Sequence, residues 1–251
     1  MVDSEETVVD VTFNVFSDTP PGKDPDSHSP TLRTYHSLIW SKELPSGHHF
    51  QLDLDYPRML HHKSSIGEFF LSSDQIGNTY QQNKSMQSIL SKVPSETLED
   101  FEQTRATIAG HALFPSNRID NKMTINGARG VSHKVKDRFD LTLECIRRFY
   151  AGEQSPLSTV LHRYSAFFDL FDTFKGYVEF FLYQDLVSDD CETVRFWHHF
   201  DDFKGDPLPA SVDDYLAYKE RVVNFIHGRN SRIAESMKLR VNSRENHSGS
   251  G

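Results

Sequence analysis

The chain has 251 residues, 37% hydrophobic and 12% aromatic, with 27 basic and 36 acidic side chains and a formal net charge of −9. This composition excludes a disordered or fibrous chain and supplies enough apolar residues for a full core. The sequence shows no long apolar run, no secretory leader pattern and only two cysteines, Cys145 and Cys191. We therefore predict no membrane contact, no disulfide framework and a cytoplasmic location.

The N-terminal part of the chain predicts short strands and one capped helix. Alternating apolar residues over 9–15 indicate a strand, and the Pro-rich segment 17–30 indicates an extended loop. Ser29 and Pro30 have the pattern of a helix cap and first helical residue, for a helix through about Ser41. The remaining predictions in this half are strands at 50–54, 67–73 and 107–114 and short helices near 86–90 and from Ser95.

The second half of the chain predicts helices. From about Lys134 onward, apolar residues recur at spacings of three and four, and further helices are expected from Ser155, over 176–187 and after Ser211. Ser211 and Asp214 resemble a capping box.

Strands in the first half and helices in the second predict an α+β fold. We expect a strand-rich N-terminal half packed on a helical C-terminal half, in a single domain over residues 1–238. A polar, flexible tail is expected over 239–251, where the final Ser-Gly-Ser-Gly resembles an expression-tag remnant.

A basic segment over 114–138 is the most unusual feature of the sequence. It has six basic and two acidic residues, whereas the rest of the chain has 21 basic and 34 acidic residues. A positive island in a negative protein concentrates anions at one place. Gly127 and Gly130 are expected to allow positive φ angles and a close approach of the backbone to a ligand, in a loop that runs into a helix start near Lys134.

This segment predicts a phosphate-binding site in which arginine side chains form bidentate hydrogen bonds with phosphate oxygens. The alternative is a surface loop whose arginines pair with acidic neighbours. The candidate substrate-binding residues are Asn117, Arg118, Lys122, Asn126 and Arg129.

Three residues near the basic segment are candidates for proton transfer. His133 lies inside the segment, where an imidazole suits acid–base chemistry, and His111 lies just before the segment. Asp140 lies at helical spacing from Asp137 and Glu144, which suits either acid–base chemistry or a salt-bridged helix face. Adjacent histidine pairs, such as His61-His62, make poor chelates alone, so we predict no metal site, and the sequence identifies no cofactor.

Several phrases of the sequence resemble a known family. They are GEFFLSSDQI (67–76), FPSNRIDNKMTINGARG (114–130), DRFDLTLECIRRFY (137–150) and the aromatic run over 155–187. The chain resembles, over about residues 15–235, a family of uncharacterised bacterial and phage-borne proteins classed as a domain of unknown function. The resemblance implies a bacterial or phage source and one co-extensive domain, and it favours a role in phage–host conflict.

Two classes of function remain open from the sequence. The first is an enzyme that acts on a phosphate-bearing substrate, a nucleotide or nucleic acid, by nucleotidyl transfer, ADP-ribosyl transfer or nuclease cleavage. The second is a non-catalytic acidic interaction protein, such as an antitoxin, inhibitor or assembly partner, with a protein as its partner. A small-molecule sensor with a cleft between sheet and helices is a third possibility.

Overall fold

The structure is a computed structural model that describes the backbone of residues 9–248 and the side chains of residues 9–240. The strands are β1 (Lys42–Glu43), β2 (His49–Phe50), β3 (Leu60–Ser64), β4 (Gly67–Gln75) and β5 (His111–Pro115). The helices are α1 (Pro25–His28), α2 (Pro30–Trp40), α3 (Gln87–Leu90), α4 (Ser95–Arg105), α5 (Ile125–Val131), α6 (Phe139–Tyr150), α7 (Ser158–Arg163), α8 (Ser165–Phe168), α9 (Phe174–Phe181) and α10 (Val212–Ser248).

The strands form two small antiparallel sheets, β1-β2 and β3-β4-β5, both in the N-terminal half. The α+β prediction is therefore confirmed. In the larger sheet, Gln75 lies opposite His111 and Asp74 lies opposite Ala112. Because side chains alternate along a strand, Gln75 and Asp74 point to opposite faces of the sheet. These two faces carry the two polar clusters described below.

The predicted strand over 9–15 is wrong. Oδ1 of Asp10 accepts a hydrogen bond from the backbone N–H of Thr12 at 2.8 Å, which turns the chain. A short 3₁₀ turn follows at Val15–Ser17, and the backbone N–H of Val15 donates to the Ala106 carbonyl. The apolar alternation here reflects partial burial against the core rather than strand pairing.

The capped helix after the Pro-rich segment is confirmed. Oγ of Ser29 accepts a hydrogen bond from the backbone N–H of Leu32 at 3.0 Å, and Pro30 is the first residue of α2. The segment before it is only partly extended, because Asp24 caps the short helix α1. This helix places Asp26 against β4, where it receives a hydrogen bond from Ser73.

The basic segment contains a helix that the sequence analysis missed. Thr124 caps α5 through a hydrogen bond from the backbone N–H of Gly127 at 3.3 Å. Gly127 and Gly130 are therefore helical. The positive φ angles of the segment are instead found at Asp120 (53°), Asn121 (56°), Lys136 (47°) and Asp137 (60°), and the last two lie before α6. These two residues break the helical pattern predicted from Lys134, so α6 begins at Phe139.

The C-terminal half surrounds an aromatic core with a long final helix. Ser211 caps α10 through a hydrogen bond from the backbone N–H of Asp214 at 3.1 Å, as predicted. The backbone of α10 is helical through Ser248, across most of the segment expected to be a tail, and residues 249–251 lie outside the described residues. No helix in the described part of the chain combines the length and apolar character needed to cross a membrane.

Candidate functional site

A polar cavity of about 590 Å³ opens between the segment after β4, the end of α4 and the turn that joins α5 to α6. We call it the polar cavity. It is lined by Asn78, Thr79, Tyr80, Gln81, Gln82, Asn83, Lys84, Glu102, Arg105, Gly130, Lys136 and Asp137. Amides, two hydroxyls and charged groups dominate this lining, which suits a ligand with several hydrogen-bonding atoms.

Hydrogen bonds across the polar cavity join its walls. Nδ2 of Asn78 donates to Oδ2 of Asp137 at 3.0 Å, and the hydroxyl of Tyr80 donates to the carbonyl of Lys136 at 3.2 Å. Behind this wall, the hydroxyl of Tyr218 on α10 donates to the carbonyl of Asn78 at 3.1 Å. The position of the cavity wall therefore depends on residues from three distant parts of the chain.

Three non-glycine residues of the cavity wall have left-handed backbone conformations. The φ angles are 58° at Tyr80, 47° at Lys136 and 60° at Asp137. Each such residue costs about 1–2 kcal/mol relative to an ordinary conformation. Strained backbone of this kind is concentrated at functional sites, where the surrounding structure holds it in place.

The charges of the polar cavity leave two ammonium groups unpaired. Nε of Arg105 lies 3.0 Å from Oε2 of Glu102, so these two side chains form an ion pair. Asp137 is likewise paired, with Oδ1 lying 3.3 Å from the guanidinium of a buried arginine. Within the described side chains, Lys84 and Lys136 have no carboxylate partner. Among the described residues of the lining, three are basic and two are acidic, so the lining carries a small positive excess.

The buried arginine is Arg129, which the sequence analysis assigned to phosphate binding. Its side chain is 0% exposed, and Nη1 lies 2.6 Å from Oδ2 of Asp74. Nε also donates to Oγ1 of Thr142 at 3.2 Å. The two carboxylates, of Asp74 and Asp137, hold the pKa of Arg129 above its ordinary value against the opposing effect of burial. The guanidinium has no side open to an incoming phosphate, and it forms the back of the cavity wall.

Asp140 was expected to transfer protons, and the structure shows it enclosed and ion-paired. Its carboxylate accepts hydrogen bonds from Nε of Arg138 at 3.1 Å and from Nη2 at 2.5 Å. It also accepts from the backbone N–H of Trp197 at 2.9 Å. Asp140 and Arg138 are both 0% exposed. A carboxylate with all these partners joins α6 to the segment before α10 and does not reach the polar cavity.

The other predicted substrate-binding residues do not line the polar cavity. Arg118, Lys122 and Asn117 are exposed around a 3₁₀ turn (Ile119–Asn121), and the Asn117 carbonyl accepts a hydrogen bond from the hydroxyl of Tyr164. Asn126 is half-buried on α5. The predicted cluster is therefore split between a surface turn near α7 and the arginine behind the cavity.

The two candidate histidines are also separated. His133 is exposed, on the turn before Lys136, and is not in the cavity lining. His111 is fully buried on the face of the sheet opposite to Asp74, and Nδ1 donates to the Thr107 carbonyl at 3.0 Å. Its Nε2 lies 3.9 Å from Oδ1 of Asp26.

Burial changes the protonation of both members of this second cluster. It raises the pKa of Asp26 to about 8, with a further contribution from the negative charge of Asp74. It lowers the pKa of His111 to about 4. At neutral pH both groups are therefore uncharged, and Nε2 of His111 is buried without a hydrogen-bond partner among the described residues. Among residues 9–240, no three His, Cys, Asp or Glu side chains converge as metal ligands would.

The sequence analysis missed the segment 78–84, which contributes more residues to the polar cavity than any other part of the chain. Its signal was available as a dense run of amide side chains directly after a strand: Asn78, Gln81, Gln82 and Asn83. Such residues favour loops because they compete for backbone hydrogen bonds. Of the basic segment, only Gly130, Lys136 and Asp137 reach the cavity.

The model of the DUF6994 family, described as a family of unknown function, matches residues 9–233. The chain belongs to the DUF6994 family. The match covers nearly the whole span for which the sequence analysis identified a resemblance, and it includes every residue of the polar cavity. Comparison of this DUF6994 protein with curated proteins and with solved structures gave no match.

Proposed function

We propose that this protein binds and acts on a phosphate-bearing substrate of the nucleotide class in the polar cavity. The observation that carries the proposal is that two lysines, Lys84 and Lys136, line the cavity and have no carboxylate partner within the described side chains. An anion that enters between them would complete the charge balance of the wall. The proposal keeps the substrate class predicted from sequence and moves its site from the surface turn to the polar cavity.

The size and chemistry of the polar cavity support a nucleotide rather than inorganic phosphate alone. A volume of about 590 Å³ lies within the usual range of small-molecule sites. The side-chain amides of Gln81 and Gln82 offer donors and acceptors of the kind that pair with a base edge or a ribose. The lysines would then hold the phosphate end.

Asp137 is the group that we assign to proton transfer. Its carboxylate lies in the cavity wall, where Asn78 and Arg129 fix its orientation, whereas the other acid of the lining, Glu102, is paired with Arg105. A carboxylate held in this way can orient or deprotonate a nucleophile such as water. Nucleotidyl transfer, ADP-ribosyl transfer and phosphodiester cleavage all belong to this proposal. A cytoplasmic role in phage–host conflict is part of it too, on the resemblance described above.

Binding of nucleotides to matched variants tests the proposal. Isothermal titration with AMP, ADP, ATP and NAD should detect a ligand for the wild-type chain. The double variant K84A/K136A should weaken that binding by about tenfold or more. The double variant R118A/K122A is the matched control, because it removes two exposed cations of the same region that do not line the cavity. Equal affinity of the first variant and the wild type would overturn the proposed site.

One observation favours a second candidate, the non-catalytic acidic interaction protein. Arg129 and Arg138 of the basic segment both form ion pairs with carboxylates of the same chain. This is the arrangement expected if the arginines stabilise the fold and do not bind a ligand. The excess negative charge would then be available to a basic protein partner. Capture of a defined partner that salt releases, with no nucleotide binding by titration, would support this candidate over the first.

A further inference from the structure

A separate cavity, of about 360 Å³, lies between α10 and the segment 185–197 that precedes it. We call it the aromatic cavity. It shares no residue with the polar cavity, and its lining includes two arginines and three aromatic residues: Arg195, Arg221, Phe196, Trp197 and Phe225. None of these residues takes part in the function proposed above.

The aromatic walls of this cavity are held in place by packing. The ring centres of Trp197 and Phe225 lie 5.8 Å apart, and both side chains are buried. Phe196 stacks on Phe200 with ring centres 4.1 Å apart. The backbone N–H of Trp197 also donates to the carboxylate of Asp140 at 2.9 Å. Walls that are already ordered can pack against a flat ring at little cost in side-chain entropy.

Arg221 lies in this lining with part of its hydrogen-bonding capacity unused. Nη1 donates to the Trp197 carbonyl at 3.0 Å, which holds the guanidinium beside the aromatic wall. Within the described side chains, Arg221 has no carboxylate partner, and its Nε and Nη2 atoms make no hydrogen bond. These two atoms form one edge of the planar guanidinium, and such an edge matches the two oxygens of a carboxylate.

The other charged groups of the aromatic cavity are already paired or only weakly paired. Asp185 accepts two hydrogen bonds from Arg232, at 2.6 Å and 3.0 Å, so its charge is balanced. Nη2 of Arg195 lies 3.3 Å from Oδ1 of Asp189, but the first side chain is 58% exposed and the second is fully exposed. An ion pair between such exposed groups contributes little, so Arg195 can also contact an incoming anion.

We propose that the aromatic cavity binds an aromatic carboxylate. Nε and Nη2 of Arg221 donate to the two carboxylate oxygens, and the ring of the ligand packs against the aromatic lining. The volume of about 360 Å³ lies within the usual range of small-molecule sites. The same chemistry occurs in a free aromatic acid and at the C-terminus of a peptide that ends in an aromatic residue.

Isothermal titration of the full chain with benzoate tests the proposal. We expect benzoate to bind at least about tenfold more tightly than acetate, which lacks the ring, or benzyl alcohol, which lacks the charge. Substitution R221A should weaken benzoate binding about tenfold or more. R221K should weaken it nearly as much, because lysine keeps the charge but lacks the planar edge. R118A is the matched control, because Arg118 is also exposed and does not line the aromatic cavity.

Two further arms separate the alternatives. The K84A/K136A variant should bind benzoate with wild-type affinity, which distinguishes this site from the polar cavity. N-acetylphenylalanine carries the carboxylate of a peptide end, so tighter binding of this compound or of benzoate identifies the source of the ligand, and either ranking supports the site if R221A weakens it.

Three results would overturn the proposal. Equal affinity of R221A and the wild type for benzoate would exclude Arg221 as the carboxylate ligand. Equal affinity of the wild type for benzoate and acetate would exclude the aromatic part of the ligand. The absence of binding of both benzoate and N-acetylphenylalanine to the wild type would exclude the site altogether.

Discussion

Nη1 of Arg129 lies 2.6 Å from Oδ2 of Asp74, although 55 residues separate them in the sequence. This ion pair joins α5 to β4. It involves the guanidinium of Arg129, which the sequence analysis predicted to bind a phosphate. Asp137 completes the arrangement on the other side of the guanidinium. The most basic region of the chain is therefore partly a structural device, and it places Asp137 in the wall of the polar cavity.

The first prediction concerns Arg129. Substitution R129A leaves two carboxylates without their shared counter-charge, so we expect the free energy of unfolding to fall by about 3 kcal/mol. The sequence analysis had assigned Arg129 to ligand binding at an open loop, where such a loss is not expected. Chemical denaturation measures the change, with the exposed R118A as control. Equal stability of R129A and the wild type would contradict the structural role.

The second prediction concerns the dependence of stability on pH. Asp26 has a pKa of about 8 in the folded chain and an ordinary value of 3.8 in the unfolded chain. Between these values the unfolded chain releases the proton and the folded chain keeps it, so the contribution of Asp26 to stability falls as pH rises. The slope approaches about 1.4 kcal/mol per pH unit.

Substitution D26N removes this titration. The melting temperature of D26N should therefore rise relative to that of the wild type between pH 5 and pH 8. His111 provides a control of opposite sign, because its pKa is lowered to about 4 and its contribution is lost as pH falls from about 6.5. A difference between D26N and the wild type that does not change with pH would count against an uncharged Asp26.

The third prediction concerns Asp140. Substitution D140N keeps the shape of the side chain and removes the charge that faces Arg138 inside the protein. We expect about 3 kcal/mol of destabilisation, because a buried guanidinium loses its counter-ion. Thermal unfolding followed by circular dichroism measures this effect. A D140N protein with wild-type stability but altered activity would contradict this structural role and support the proton transfer expected from the sequence.

The fourth prediction concerns Gly130, which is helical in the structure. A Cβ atom at this position would meet no atom within 4 Å, and the φ angle is not in the left-handed region. Substitution G130A should therefore stabilise the protein by about 0.5–1 kcal/mol, because alanine loses less entropy in a helix. G110A is the matched contrast, since its Cβ atom would clash with the Arg105 carbonyl oxygen. Destabilisation by G130A would instead support the loop expected from the sequence, in which Gly130 has a positive φ angle.

The elements predicted correctly are those with local signals. Helix α2 has its cap and proline in adjacent positions, and α10 has its cap at Ser211. Strand β4 was identified from a dense aromatic run. Strand β3 was missed, because its burial depends on pairing with β4 and its own residues include Lys63 and two histidines.

The polar cavity could be predicted only in part, because its geometry is made by contacts between distant residues. Lys136 and Asp137 belong to the segment that charge patterning singled out. Nothing local indicates that Asn78 contacts Asp137 across 59 residues, or that Arg129 turns inward to Asp74. Charge counting identifies a basic region, but it does not tell which of the cations are paired inside the fold.

The most direct test of the proposed function is the titration of four nucleotides, AMP, ADP, ATP and NAD, into three proteins at low salt: the wild type, K84A/K136A and R118A/K122A. We predict that the wild type and R118A/K122A bind with similar affinity and that K84A/K136A binds at least about tenfold more weakly. Loss of binding in R118A/K122A with full binding in K84A/K136A would contradict the polar cavity as the site, and the absence of binding of any of the four nucleotides to the wild type would contradict the proposed substrate class.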